Sequence, residues 1–218
     1  MSRTWWRGIR GGSNDGGWNY ARKAIGYYLV TFLLGGIFYP WAQAKLWNER
    51  WRKMSFGPYD FHSDMTPEDT KGPFFIFWAV IVIGSLISGF AAIATAREGT
   101  PGGSPIITLL FYCAVGVAYV NFLTHYYKAA VEWMSIGDIT FQFDADFKDW
   151  MGFYLRTIGL TIVTIGFAIF VYNFRKWQFI TSHLNAFGTV DVDQLIQSQT
   201  VAPREAEGFL DALDIGAF

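Results

Sequence analysis

The sequence predicts an α-helical polytopic membrane protein, with four membrane-embedded helical segments and short β-strands at the membrane surface. Three observations point there. Of 218 residues, 52% are hydrophobic and 19% aromatic against 16% charged, and the mean hydropathy is +0.21, which is too apolar for an ordinary soluble domain of this length. Four apolar segments, residues 24–41, 73–96, 105–123 and 151–174, each approach the roughly 20 residues that cross a ~30 Å hydrocarbon layer. Cations and tryptophans crowd their flanks, as at headgroup level, where an indole ring is half apolar and a Lys or Arg meets phosphate.

The net charge of −1 hides an uneven distribution, because acids gather in residues 60–69, 138–149 and the tail. It therefore does not identify a partner class. Arg3, Arg7 and Arg10 precede the first apolar run, but that run begins after Arg22 and Lys23, and no small-residue cleavage site follows before Gly35. Insertion is expected to rest on uncleaved segments. Residues 11–17, rich in glycine, lack the P-loop spacing and its Lys-Ser/Thr ending; they read as a flexible turn between two amphipathic pieces. The single cysteine, Cys113, lies inside an apolar run, where it forms no intramolecular disulfide and is expected to be a small core residue.

The second and third segments are the clearest spans. Residues 97–104, which join them, are rich in turn formers, so the pair reads as an antiparallel helical hairpin. Gly84, Ser85, Ser88, Gly89, Ala91 and Ala92 on one helix, with Gly116 and Ala118 on the other, permit close approach.

The first and fourth segments carry structural breaks at Gly35, Gly36 and Pro40, and at Gly166. Either they span or they re-enter. If all four segments cross, the cations divide nine against seven, with Arg156 inside the bilayer. If the first and fourth return at their glycines, sixteen of seventeen cations share one compartment and Arg97 faces the other. The positive-inside rule favours re-entry, with both termini and both long loops cytoplasmic. Against it, a turn inside the bilayer needs its backbone polar groups covered by protein or water.

A weak internal repeat supports the same arrangement. A shift of 130 places Gly36 on Gly166, Lys45 on Arg175 and Trp47 on Trp177; one inserted residue then brings Gly57 onto Gly188 and Asp60 onto Asp191. A shift of 80 places Met54, Ser55 and Gly57 on Met134, Ser135 and Gly137, and Phe61 on Phe141. This reads as a third, headless copy after the third apolar segment. Each copy ends in a glycine followed by an extended piece, most clearly residues 138–144, where Ile139, Phe141 and Phe143 alternate with Thr140 and Gln142. Residues 57–62 and 188–192 are weaker versions. Such short strands are not stable alone and are expected to pair in one small sheet, on one side of the membrane.

Several of these residues form a family pattern: the Leu34, Gly35, Gly36, Ile37 break; Pro40, Trp41 and Ala42; Lys45 with Arg50 and Arg52; Tyr59, Asp60 and Phe61; the second break at Thr164, Ile165 and Gly166; and the acidic tail, residues 207–216. The chain resembles the YjgN-like bacterial inner-membrane proteins, a family grouped as a domain of unknown function. Two departures stand out. Phe170, Val171 and Tyr172 replace the second Pro-Trp-Ala, and Thr4 to Arg7 only loosely resemble the family's first strand. The resemblance implies bacterial inner-membrane location and architecture, and supplies no catalytic residue.

The expected organisation is a membrane domain with internal repeats over 1–192, then a polar linker and acidic amphipathic tail over 193–218. Trp41, Lys45, Trp47, Arg50, Trp51, Arg52 and Lys53, with Arg175, Lys176 and Trp177, are the candidate contacts to anionic phospholipids or to a protein partner. Arg156, near the boundary of the fourth segment, is a candidate for an ion pair or for snorkelling. His62, His125 and His183 show no i, i+4 pairing, so no metal or cofactor is expected. No nucleophile or paired-carboxylate frame appears. Nucleic-acid binding is not expected, because the cations are spaced by membrane-belt aromatics. The expected function is a non-enzymatic structural or accessory component contacting lipid and a larger membrane complex. The alternative, a small-solute transporter or channel, is weighed against the few polar groups in the segments: Thr31, Ser85, Ser88, Asn121, Arg156, Thr161 and Thr164.

Overall fold

The computed structural model describes residues 5–6, 9–13, 17–97 and 104–189. The 98–103 connection, the extended piece expected after Gly188 and the acidic tail lie outside the described residues. Contacts divide the chain into two compact units, one of Met1–Met65, Glu132–Phe141 and Ala186–Phe218, the other of Thr66–Val131 and Gln142–Asn185.

Seven strands form one sheet in sequence order: β1 (Trp5–Trp6), β2 (Ile9–Ser13), β3 (Met54–Phe56), β4 (Tyr59–Ser63), β5 (Met134–Ile136), β6 (Ile139–Phe143) and β7 (Leu184–Phe187). The register from β1 to β6 is antiparallel throughout. Gly57 and Gly137 open two-residue turns, β3 to β4 and β5 to β6, with φ of 59° and 54°, which glycine adopts without steric cost. At Gly137 a Cβ would stand 2.9 Å from the Tyr59 ring. The turns lie along one edge of the sheet. Ser13 with Met54, and Ser63 with Met134, pair along the other edge, and there the chain leaves to form helices.

Between β2 and β3 lie α1 (Gly17–Leu33) and α2 (Tyr39–Arg52); between β4 and β5, α3 (Glu68–Arg97) and α4 (Pro105–Glu132). Between β6 and β7 lie α5 (Phe147–Val163), a short 3-10 helix (Phe167–Val171) and α6 (Tyr172–Ser182). Every second strand connection is therefore a pair of helices. The copy expected to be headless is not: α3 and α4 stand where α1 and α2 stand in the first.

The α3–α4 hairpin is antiparallel, with Phe74 and Phe77 against Phe122, Phe77 against Tyr119, and Phe111 over Gly84. At Gly84 a Cβ would come within 2.4 Å of the Phe111 ring, so glycine makes room for it. Gly89 and Gly116 have open space around them and play no such part. These two helices are long and apolar enough to cross a membrane; at ~1.5 Å per residue each exceeds ~40 Å. Both run past their apolar stretches, because polar ends such as Thr70 and Thr124 find buried places.

The breaks expected at Gly35, Gly36 and Gly166 are present, and they divide residues 24–41 and 151–174 into separate helices. Other expectations are corrected. Gly11 and Gly12 are strand residues, paired with Phe56 and Ser55; backbone pairing outweighs glycine's turn preference. The last strand described, β7, ends just before Gly188, as β3 ends just before Gly57. Cys113 is free and exposed on α4 rather than in a core, among apolar side chains that are themselves exposed.

Candidate functional site

The first and last helical pairs turn in the same way. In the first, Gly36 N–H donates to the Thr31 carbonyl (2.8 Å) and Gly35 N–H to that of Phe32 (3.1 Å). In the last, Gly166 N–H donates to Thr161 (2.8 Å) and Ile165 N–H to Ile162 (3.2 Å). This is the Schellman ending, in which a left-handed residue lets two N–H groups fold back on the last helical turn. Leu34 and Thr164 N–H groups are also bonded, to Val30 and Leu160, as are Tyr39 and Ile169, to Gly36 and Gly166. Thr31 and Thr161 each donate a hydroxyl to the carbonyl four residues back, at 2.8 Å. Residue for residue, the pattern repeats at a shift of 130. The tips are apolar and uncovered: Phe32 is 80% exposed, Ile165 92% and Phe170 84%.

On α2 the candidate contacts take different roles. Lys45 is exposed, its ammonium 5.7 Å from the centre of the Tyr27 ring on α1. Trp41 stacks on Phe38, and Trp47 meets Trp51, which in turn packs on Phe61 of β4 at 5.2 Å. Arg50 is partly buried. Arg52 donates from Nε to the Ser63 carbonyl (2.9 Å) and pairs with Asp64. Lys53 pairs with Glu49 at 3.3 Å, and Lys23 of α1 pairs with the same carboxylate. Burial pushes the Glu49 carboxyl up, but hydrogen bonds and charge from Lys23 and Lys53 outweigh it and hold the group below its ordinary value. Pro40 starts α2, in its first turn, where a missing N–H costs nothing.

Asn48 is a residue that sequence reasoning passed over. Its Nδ2 donates to the Met65 carbonyl (2.8 Å), while its Oδ1 accepts from Ser63 Oγ (2.8 Å) and Met65 N–H (3.0 Å). One carboxamide so ties α2 to the chain leaving β4. Ser63 is fully buried, so losing its partner would strand a polar group. A lone Asn between Trp47 and Glu49 carries no pattern that marks this role.

On α6, Arg175 and Lys176 are partly buried and Trp177 is exposed. Arg175 Nη1 is buried without a hydrogen-bond partner among the described residues. Lys176 stands 5.9 Å from the Tyr127 ring centre. Arg156, on α5, is exposed, and no carboxylate among the described residues pairs with it. Among the described residues, no group of three His, Cys, Asp or Glu is arranged to hold a metal. His125 and His183 bond the carbonyls of Asn121 and Phe179, each at 2.9 Å.

The helix starts after β4 and β6 also match. Thr66 N–H and Oγ1 donate to Asp69 (3.1 and 2.8 Å), and Asp146 N–H donates to Asp149 (2.8 Å); at Asp146 the bond is returned, which makes a capping box that fixes the helix N-terminus. Lys128 bonds Asp146 and holds its carboxyl below the usual range.

No curated protein and no solved structure matches the chain. The family model described as a bacterial protein of unknown function (DUF898) matches residues 1–212, so the chain belongs to that bacterial family, as its resemblance to the uncharacterised YjgN-like proteins anticipates.

Proposed function

We propose that this protein is a non-enzymatic, multi-pass component of the bacterial inner membrane, an accessory subunit that contacts anionic phospholipids and a larger membrane complex. In this reading α3 and α4 cross the bilayer, while α1–α2 and α5–α6 enter from the cytoplasmic side and return. Both termini are cytoplasmic. The observation that supports it is the shared Schellman turn at two exposed apolar tips. A polar backbone turn is tolerated in lipid where its groups are satisfied, and here the N–H groups of residues 34–36 and 164–166 are bonded within the chain. Exposed Phe, Leu and Ile at such tips are poorly suited to water. At ~1.5 Å per residue, α1 and α5 each reach ~25 Å, short of a ~30 Å core, which also favours entry and return.

Labelling tests the topology. With Cys113→Ala as background, single cysteines at Leu33 and Val163 in intact spheroplasts are expected to resist a membrane-impermeant maleimide, while one at Ser104 reacts. Equal labelling at all three would overturn re-entry. For the accessory role, purification in mild detergent is expected to bring down a partner in fixed ratio. Solute flux by the protein alone in proteoliposomes would replace it with the transporter reading.

A further inference from the structure

Lys176 stands among tyrosines from three helices. Its ammonium lies over the Tyr127 ring of α4, is hydrogen-bonded to the same tyrosine, and interacts electrostatically with Tyr172 and Tyr119. The hydroxyls of Tyr154 and Tyr172 are 3.5 Å apart, and the Tyr119 ring meets that of Tyr154 edge-on at 6.2 Å. No carboxylate among the described residues pairs with Lys176. Arg175, beside it, has a buried nitrogen without a hydrogen-bond partner among the described residues.

A partly buried ammonium without a counter-ion is costly, and the first copy shows that the fold does not require one here. At the shift of 130, Tyr154, Tyr172 and Lys176 correspond to Ala24, Ala42 and Leu46. Ala42 and Leu46 are buried, and the first helical pair forms with apolar residues at these positions. The polar set in the second copy is therefore additional to what the hairpin needs. An ammonium and several hydroxyls side by side are a donor-rich cluster suited to a tetrahedral oxyanion. Lys176 lies seven residues before His183 at the end of α6, ~10 Å along the helix, a depth that a lipid headgroup reaches.

We propose that Lys176, with the hydroxyls of Tyr119, Tyr154 and Tyr172, binds the phosphate of a single anionic phospholipid. The acyl chains would lie along the exposed apolar side of α6, where Phe174 stands. The proposal rests on the lipid-contact reading above and adds a defined site to it.

Native mass spectrometry of the full chain in mild detergent, titrated with phosphatidylglycerol, tests it. One tightly held lipid is expected, with Lys176→Gln weakening it about tenfold or more, as loss of a charge-assisted hydrogen bond does. Tyr172→Phe keeps the ring and is expected to weaken it several-fold, while Lys148→Gln, at the exposed start of α5, leaves it unchanged. Retention by Lys176→Gln and Tyr172→Phe equal to that of the unmodified chain would overturn the site and leave the broader reading to its own labelling test. Displacement of the lipid by millimolar inorganic phosphate would overturn the lipid as source in favour of a soluble phosphate.

Discussion

The first and last helical pairs share one backbone plan but are held together by different chemistry. Between α1 and α2 the contacts are polar: Lys23 with Glu49, Tyr28 with Gln43 at 3.1 Å, and Lys45 over Tyr27. At the matching positions of the last pair, Phe153 packs on Phe179 at 5.0 Å where the first has Lys23 and Glu49. Trp150, which matches Tyr20, is fully buried and lies 4.7 Å from Phe179 and 5.1 Å from Tyr127. The second helices differ in the opposite sense. Pro40, Ala42, Ala44 and Leu46 of α2 are buried, whereas α6 buries none of its residues. Backbone hydrogen bonds and positive-φ turns thus define the repeat, and side chains are free to diverge around them.

The largest test of that contrast is Trp150→Ala, expected to cost about 3–5 kcal/mol, as for large aromatics removed from a core. Tyr20→Ala, at the matching and only half-buried position, is expected to cost about 1–2 kcal/mol. Equal losses, read as thermal midpoints in detergent, would mean that the two pairs are stabilised alike.

A smaller effect sharpens the comparison at the turns. Gly35 and Ile165 match, with φ of 62° and 51°, and a β-branched residue in the left-handed region pays about 1–2 kcal/mol. Ile165→Gly is expected to raise stability by up to about 1 kcal/mol, after glycine's own entropy cost, and Gly35→Ile to lower it by about 1–2 kcal/mol. If Ile165→Gly destabilises, lipid contact at the tip outweighs the backbone.

The smallest effect concerns the two helix starts after β4 and β6. The hydrogen bond and charge of Lys128 lower the Asp146 pKa in the folded protein. A carboxylate of that kind contributes stability above its unfolded value, and the contribution disappears as pH falls through its folded value. Asp146→Thr, the residue at the matching position in the Thr66 cap, is expected to flatten the acid side of the stability profile. A profile unchanged below the ordinary aspartate range would remove the role assigned to Lys128.

The α3–α4 pair, the breaks at Gly35, Gly36 and Gly166, and strand β6 were legible because hydropathy, glycine and period-two alternation are local signals. Strands β3 and β5, at three residues each, are too short to alternate, and their existence depends on partners distant in sequence. Gly11 and Gly12 were misread for the same reason: β3 lies more than forty residues away. The cationic belt was legible as a composition, but not its division of labour. Arg52 and Lys53 are spent on Asp64 and Glu49, and that depends on which acids the hairpin brings near. Lys176 shows its difference from Lys45 only once Tyr119 and Tyr127 of α4 stand beside it.

Strand order in the sheet equals order of synthesis. Each strand therefore meets a neighbour that has already left the ribosome, and each helical pair can form as a unit before the next is made. No segment has to thread past a finished one. Assembly can proceed vectorially, closing one ladder at a time.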